Sequence, residues 1–270
     1  MSETKNQKIV IISNLIEEDL NLLMHGLLLA KKFRKEVLVV QHLNRKNKKN
    51  SILLERTLSN LLNSIREKNP ELSITSLISK INYDEFPQVL ADDYEAILIL
   101  ASSLKYKKFA TAVSNSPVPF LFINPGLSES SYKNIVFPLD LRKENADTTL
   151  WCSWFGRFCN SNIAVVVAND KDTDSKRQVH HNLLFAKKLF QKSAINYKLY
   201  KGQRTSLFNS FEASDYAINS KADMLILLGS STITPLDWLI GLPERKIIKK
   251  AGKMPVLLVN PRRDNYILCD

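Results

Sequence analysis

Two rhythms of apolar and polar positions alternate along this chain. Residues 8–14 (KIVIISN) and 36–43 (EVLVVQHL) are dense in Val, Ile and Leu, as strands covered on both faces are. Between them Leu20, Leu23, Met24, Leu27 and Leu28 recur at helical spacing, so the stretch predicts one β-α-β unit. A polar, basic linker at 44–50 precedes a helical pattern over 52–65 that Asn69 and Pro70 end. The rhythm continues with a weak strand at 72–79, a short helix at 84–91, a buried-type strand at 96–100, a helix at 104–113 and a strand at 119–123.

The second half repeats that order. Strands are predicted at 134–139, 163–168, 194–200, 224–228 and 255–259, with helices at 146–159, 176–191, 206–219 and a last helical region at 236–250. Both halves close on matching phrases, SPVPFLFINPG and GKMPVLLVNPR, each an apolar strand introduced by proline and ended by Asn-Pro. The duplication predicts an α/β fold of two tandem five-stranded, mainly parallel sheets with helices on both faces, over residues 1–128 and 129–270. The polar stretch 128–133 suits a boundary, which makes a single ten-stranded sheet the less attractive alternative. Ligands of such sheets sit beyond the carboxyl ends of the strands, which points to the residues after Ile12, Val40 and Leu100 and after Leu139, Val167 and Leu228.

Composition narrows the class without naming an activity. At 44% hydrophobic and 24% charged residues, the 270-residue chain has the balance of a well-cored globular protein. The apolar block Ile9–Ile12 is too brief for a signal-peptide core and no run reaches the ~18–20 residues of a membrane span, so a cytoplasmic protein is expected, without a membrane partner. Cys152, Cys159 and Cys269 form no CxxC or Cys/His ligand spacing and read as reduced structural thiols. The formal charge of +11 favours anionic partners at long range. Its lysines are scattered, however, and nucleic acid is not the expected partner. Tyr106 and Phe109 among Lys105, Lys107 and Lys108 are the best local case for such a site, with an edge helix feeding Phe109 to the core as the competing account.

Chemistry at the strand ends is sparse. Asp140, after the first strand of the second half, suits either contact with a base or ribose or a turn cap; Asn14 stands at its counterpart in the first half. Gly229, Ser230, Ser231 and Thr232 follow the fourth strand and can turn backbone N–H groups and hydroxyls toward an anion, while Thr234, Pro235 and Asp237 resemble a helix cap. The lysine of a P-loop is missing, and Ala101 takes the place of Gly229 in the first half. His25, His42, His180 and His181 lack ligand partners, and Asp170, Asp172 and Asp174 read as a solvated loop without the glycine and glutamate of a calcium site.

On these residues the chain resembles the universal stress protein family over nearly its full length, more strongly in 132–262 than in 8–125. YKNIVFPLDL is similar to the family's opening strand and its aspartate; ADMLILLG and MPVLLVN are similar to its closing half. The resemblance implies a fold of the adenine nucleotide alpha hydrolase-like kind, with small domains that pair through their last strands, here within one chain. It further implies an ATP site made of Asp140, Leu141, Ala168, Gly229, Ser230, Ser231, Thr232 and Gly241. The family's glycine pattern is altered here: Thr232 replaces a glycine, the interval to Gly241 is one residue short, and Leu242 stands where a hydroxyl is expected. Threonine reaches left-handed backbone at a cost glycine avoids. The expectation is therefore a regulatory or binding protein of stress response without robust catalysis, with a protein partner or further homodimer in view and no firmly implied cofactor. The alternative is an ATP-binding member with one nucleotide site in the second domain and weak hydrolysis.

Overall fold

The computed structural model describes residues 6–13, 19–43, 51–230 and 242–260, with the side chains of 51–53 excepted. Asn14, Ser231, Thr232, Thr234, Pro235, Asp237, Gly241 and Cys269 therefore lie outside the described residues. The chain is an α/β protein that divides after Glu129 into two compact units.

In the first unit β1 (Lys8–Ser13), β2 (Glu36–His42), β3 (Ile74–Ser79), β4 (Ala96–Ser102) and β5 (Phe120–Ile123) run in the order β3-β2-β1-β4-β5, every adjacent pair parallel. Helices α1 (Asp19–Phe33), α2 (Ser51–Lys68), α3 (Phe86–Tyr94) and α4 (Tyr106–Asn115) make the crossovers, the last after a 3-10 turn at Ser103–Lys105. Strand β4 is buried from end to end and β1 nearly so, which accounts for their unbroken apolar runs. Helix α1 lies tight against the sheet at Gly26, where a side chain would collide with Ile11. Tyr106 and Phe109 are both buried, Phe109 edge-on to Tyr83 with centroids 5.1 Å apart, so these rings serve the core of the unit.

In the second unit β6 (Asn134–Leu139), β7 (Asn162–Val167), β8 (Tyr197–Lys201), β9 (Met224–Leu228) and β10 (Val256–Val259) take the order β8-β7-β6-β9-β10, again with parallel pairs. Helices α5 (Asn145–Cys159), α6 (Thr173–Lys192), α7 (Asn209–Asn219) and α8 (Pro243–Ala251) flank them. The core holds Trp154, Phe155, Phe137 and Phe190, and the thiols of Cys152 and Cys159 are buried and not joined in a disulfide. Strand β8 is the exposed rim, and its YKLYK carries lysines of the kind that discourage pairing with another chain.

Side chains explain where elements start against expectation. Helix α6 begins earlier than its apolar pattern, because Asp172 accepts the Ser175 N–H at 2.8 Å and caps it. Helix α7 begins later, because Ser206 is held in the preceding loop by Asp170. Asp170 is thus buried and bonded rather than solvated. No helix among the described residues is long and apolar enough to cross a membrane.

Candidate functional site

In the second unit the chain leaves β6 toward β7 and arrives at β9 on the other side, so the carboxyl ends of β6 and β9 flank the place where the crossovers diverge. A cavity of about 360 Å³ opens there. Its wall includes Asp140, Leu141 and Arg142 after β6, Ser206 and Ser210 before and in α7, Ser230 after β9, and Glu244 in α8.

Asp140 is 1% exposed, and both of its carboxylate oxygens are occupied. Oδ2 accepts the Arg142 Nη2–H at 2.6 Å, while Oδ1 accepts the Arg142 backbone N–H at 2.9 Å and Asn145 Nδ2 at 2.7 Å. The guanidinium Nε–H lies between the two oxygens, 3.1 and 3.0 Å away, completing a forked pair. Two buried amides bolt this turn down. Asn145 donates to the Arg142 carbonyl at 2.6 Å, and Asn182 of α6 donates to the carbonyls of Asp140 and Arg142 at 2.9 and 2.8 Å. A third, Asn209, joins β6 to β7 by donating to Leu139 and Val166 carbonyls, each at 3.0 Å.

The remaining candidates on this side are part of the same lattice. Leu141 presents its side chain outward and donates its N–H to Ser206 Oγ at 3.0 Å. Ala168 is buried after β7 with its N–H on the Leu139 carbonyl at 2.9 Å. Asp170 anchors Ser206 by accepting both its N–H and its hydroxyl.

The β9 side has a different logic. Gly229 donates to the Val259 carbonyl at 2.8 Å, and a Cβ placed on it would stand 2.5 Å from Asn260 Oδ1. A glycine here admits the neighbouring side chain after β10; its φ is not in the left-handed region. Ser230 donates both its N–H and its hydroxyl to Glu244 Oε1, at 2.6 Å each. Glu244 is 6% exposed and sits in the first turn of α8 behind Pro243, where the helix's positive end favours a carboxylate. Its Oε2 has no partner among the described residues. The two donors that the sequence offered to a phosphate are therefore turned onto an internal carboxylate.

Arg142, Asn145, Asn182, Ser206, Asn209 and Glu244 were not singled out from sequence. For Arg142 and Asn145 a local signal existed, two and five positions after Asp140. Glu244 lies 14 residues beyond Ser230 and no spacing rule marks it.

None of the described histidines lines this cavity. His25 is buried in α1 and its Nε2 lies 3.2 Å from the Leu127 carbonyl; burial pushes its pKa below the ordinary histidine value, against that hydrogen bond. His42 stacks on Tyr83 with centroids 4.1 Å apart and reaches the Ile81 carbonyl at 2.7 Å, while His180 and His181 are exposed. Among the described residues no cluster of His, Cys, Asp and Glu is arranged to hold a metal ion. Among the described residues of the wall Ser206 has an acidic neighbour but no histidine or lysine base, so none of them is an activated nucleophile.

No protein-family model matches the chain. No curated protein matches it either. Solved structures do. A universal stress protein from Archaeoglobus fulgidus DSM 4304 aligns with a TM-score of 0.67 at 12% identity, covering 96% of this chain and 98% of that one. A functionally unknown protein from Pseudomonas aeruginosa PAO1 aligns at 0.62 and 13%, covering 95% and 93%. The cytoplasmic domain of a prokaryotic cation chloride cotransporter aligns at 0.59 and 10%, covering 96% and 98%. At such identities the likeness shows the fold, which is that of universal-stress-protein-like chains.

Proposed function

We propose that this chain is a universal stress protein-like regulatory or binding protein that acts in stress response without robust catalysis. In this reading residues 1–128 and 129–270 are two tandem domains that pair with each other. The first has lost its ligand site, and the second keeps a small-molecule cavity at the ends of β6 and β9. The observation that carries the reading is the closure of Ser230 onto Glu244, with both donors at 2.6 Å from one carboxylate oxygen. A polyphosphate arriving there meets a negative group instead of free N–H and O–H donors. The Asp140 carboxylate is likewise filled by Arg142 and Asn145. Among its described residues the wall also carries no base paired with a nucleophile of the kind that turnover requires.

The test is equilibrium titration of the full chain with ATP, together with a search for nucleotide retained through gentle purification. The wild type should show no saturable binding up to millimolar ATP. Stoichiometric retained ATP, or saturable binding lost in D140N, would overturn the reading. The second reading, ATP held in the second domain with weak hydrolysis, draws on one feature: the half-exposed Arg142 cation on the wall of the 360 Å³ cavity. It would become the better account on that same positive result.

A further inference from the structure

The charges around the cavity do not balance. Asp140 and Arg142 neutralise each other across 2.6 Å. Glu244 has no basic partner among the described residues, although it is 6% exposed. A buried carboxylate needs compensation. The first turn of α8 adds a favourable dipole, and Ser230 supplies two donors, both of them to Oε1. Oε2, buried on a residue that lines the cavity, is left with its full accepting capacity unused. The surrounding wall offers serine hydroxyls at Ser206 and Ser210 and apolar surface at Leu141, Leu207 and Ile247. Leu207 and Leu141 are exposed.

From this arrangement we propose that the cavity receives a small primary ammonium cation with a short apolar body. The ammonium donates to Glu244 Oε2 and to the serine hydroxyls, and the hydrocarbon covers Leu141 and Leu207. A primary ammonium carries three donors on a compact charge, which suits one unmet carboxylate oxygen on a residue of a wall that also carries serines. The volume of about 360 Å³ lies at the small end of ligand pockets, in keeping with a compact amine. An anion fits poorly, since Glu244 faces it and Arg142 is already engaged. The proposal rests on the binding-protein reading above and specifies its ligand.

The test is calorimetric titration of the full chain with n-butylammonium chloride, tetramethylammonium chloride and ATP in separate runs. The wild type should bind n-butylammonium saturably, and tetramethylammonium, which has charge but no N–H, at least about ten-fold more weakly. E244Q keeps an acceptor for Ser230 and should lose about ten-fold or more in n-butylammonium affinity. R142Q removes the cation beside Asp140 and should raise that affinity. Absence of saturable amine binding overturns this inference and leaves the binding-protein reading standing, as do equal affinities for the two ammonium ions or an E244Q protein that binds like the wild type. Saturable ATP binding weakened in R142Q overturns both. The comparison of the two ammonium ions needs no variant, so a destabilised substitution does not spare the proposal.

Discussion

Gly229 separates two reasons for keeping a glycine after β9. If it is kept for a ligand, an alanine there should spare the fold; if it is kept for Asn260, an alanine should destabilise the second unit. The geometry favours the second. The added Cβ would stand 2.5 Å from Asn260 Oδ1, whereas the next neighbours, Asn260 Cγ and the Val259 carbonyl oxygen, are at an ordinary 3.7 Å. Asn260 is 4% exposed, so its amide has little room to swing away. Overpacking of this kind costs about 1–3 kcal/mol, which is the expected destabilisation in G229A. In an N260A background the colliding atom is gone, and the same glycine-to-alanine step should cost less than about 0.5 kcal/mol. N260A has a cost of its own, which cancels in the cycle. Trp151 and Trp154 lie in the second unit and Trp238 falls within its sequence span, so urea unfolding followed by tryptophan fluorescence reads that unit selectively. Midpoints compared at constant slope give the four stabilities. A coupling below about 0.5 kcal/mol between G229A and N260A would refute the reasoning and return Gly229 to the ligand.

Two further outcomes follow from titrating groups. The Ser175 N–H donated to Asp172 holds that carboxyl below its ordinary value, so its stabilising contribution exists above the unfolded pKa and is lost as pH falls through the lower folded one. D172A should melt below the wild type at neutral pH, with the gap closing in acid, as read by circular dichroism. Burial lowers the pKa of His25, so folding favours its neutral ring and that contribution fades as pH falls below the unfolded value of about 6.5. H25N should therefore show a flatter loss of stability between about pH 7.5 and about pH 5 in chemical denaturation of the chain, and an unchanged slope would remove His25 from that account.

The parts of the fold legible in the chain were those governed by apolar periodicity alone. Strands β6 and β9 stand at 134–139 and 224–228, where Val, Ile and Leu are packed on both faces. Starts of helices were missed wherever a single polar side chain decides them. Asp172 moves α6 earlier by capping it, and Asp170 delays α7 by holding Ser206 in the loop. The strand-end rule led to Asp140, Gly229 and Ser230 as residues beyond the sheet, and the structure sets Asp140 and Ser230 on one cavity wall. It gave no warning of what those residues are bonded to. Whether an acidic side chain elsewhere swings back onto Ser230 depends on the path of the intervening chain, which hydrophobic pattern does not encode.

The bond between Ser230 and Glu244 also bears on competition. A carboxylate fixed in the same chain acts on those donors at an effective concentration on the order of millimolar or higher. Dilution never lowers it, and it is present in every molecule. An external phosphate must displace this tethered rival before it gains a contact, so its apparent affinity is reduced to the fraction of molecules in which the donors are released from Glu244. The protein is in this sense self-inhibited toward anions at that position, in a way that neither ligand depletion nor purification would relieve.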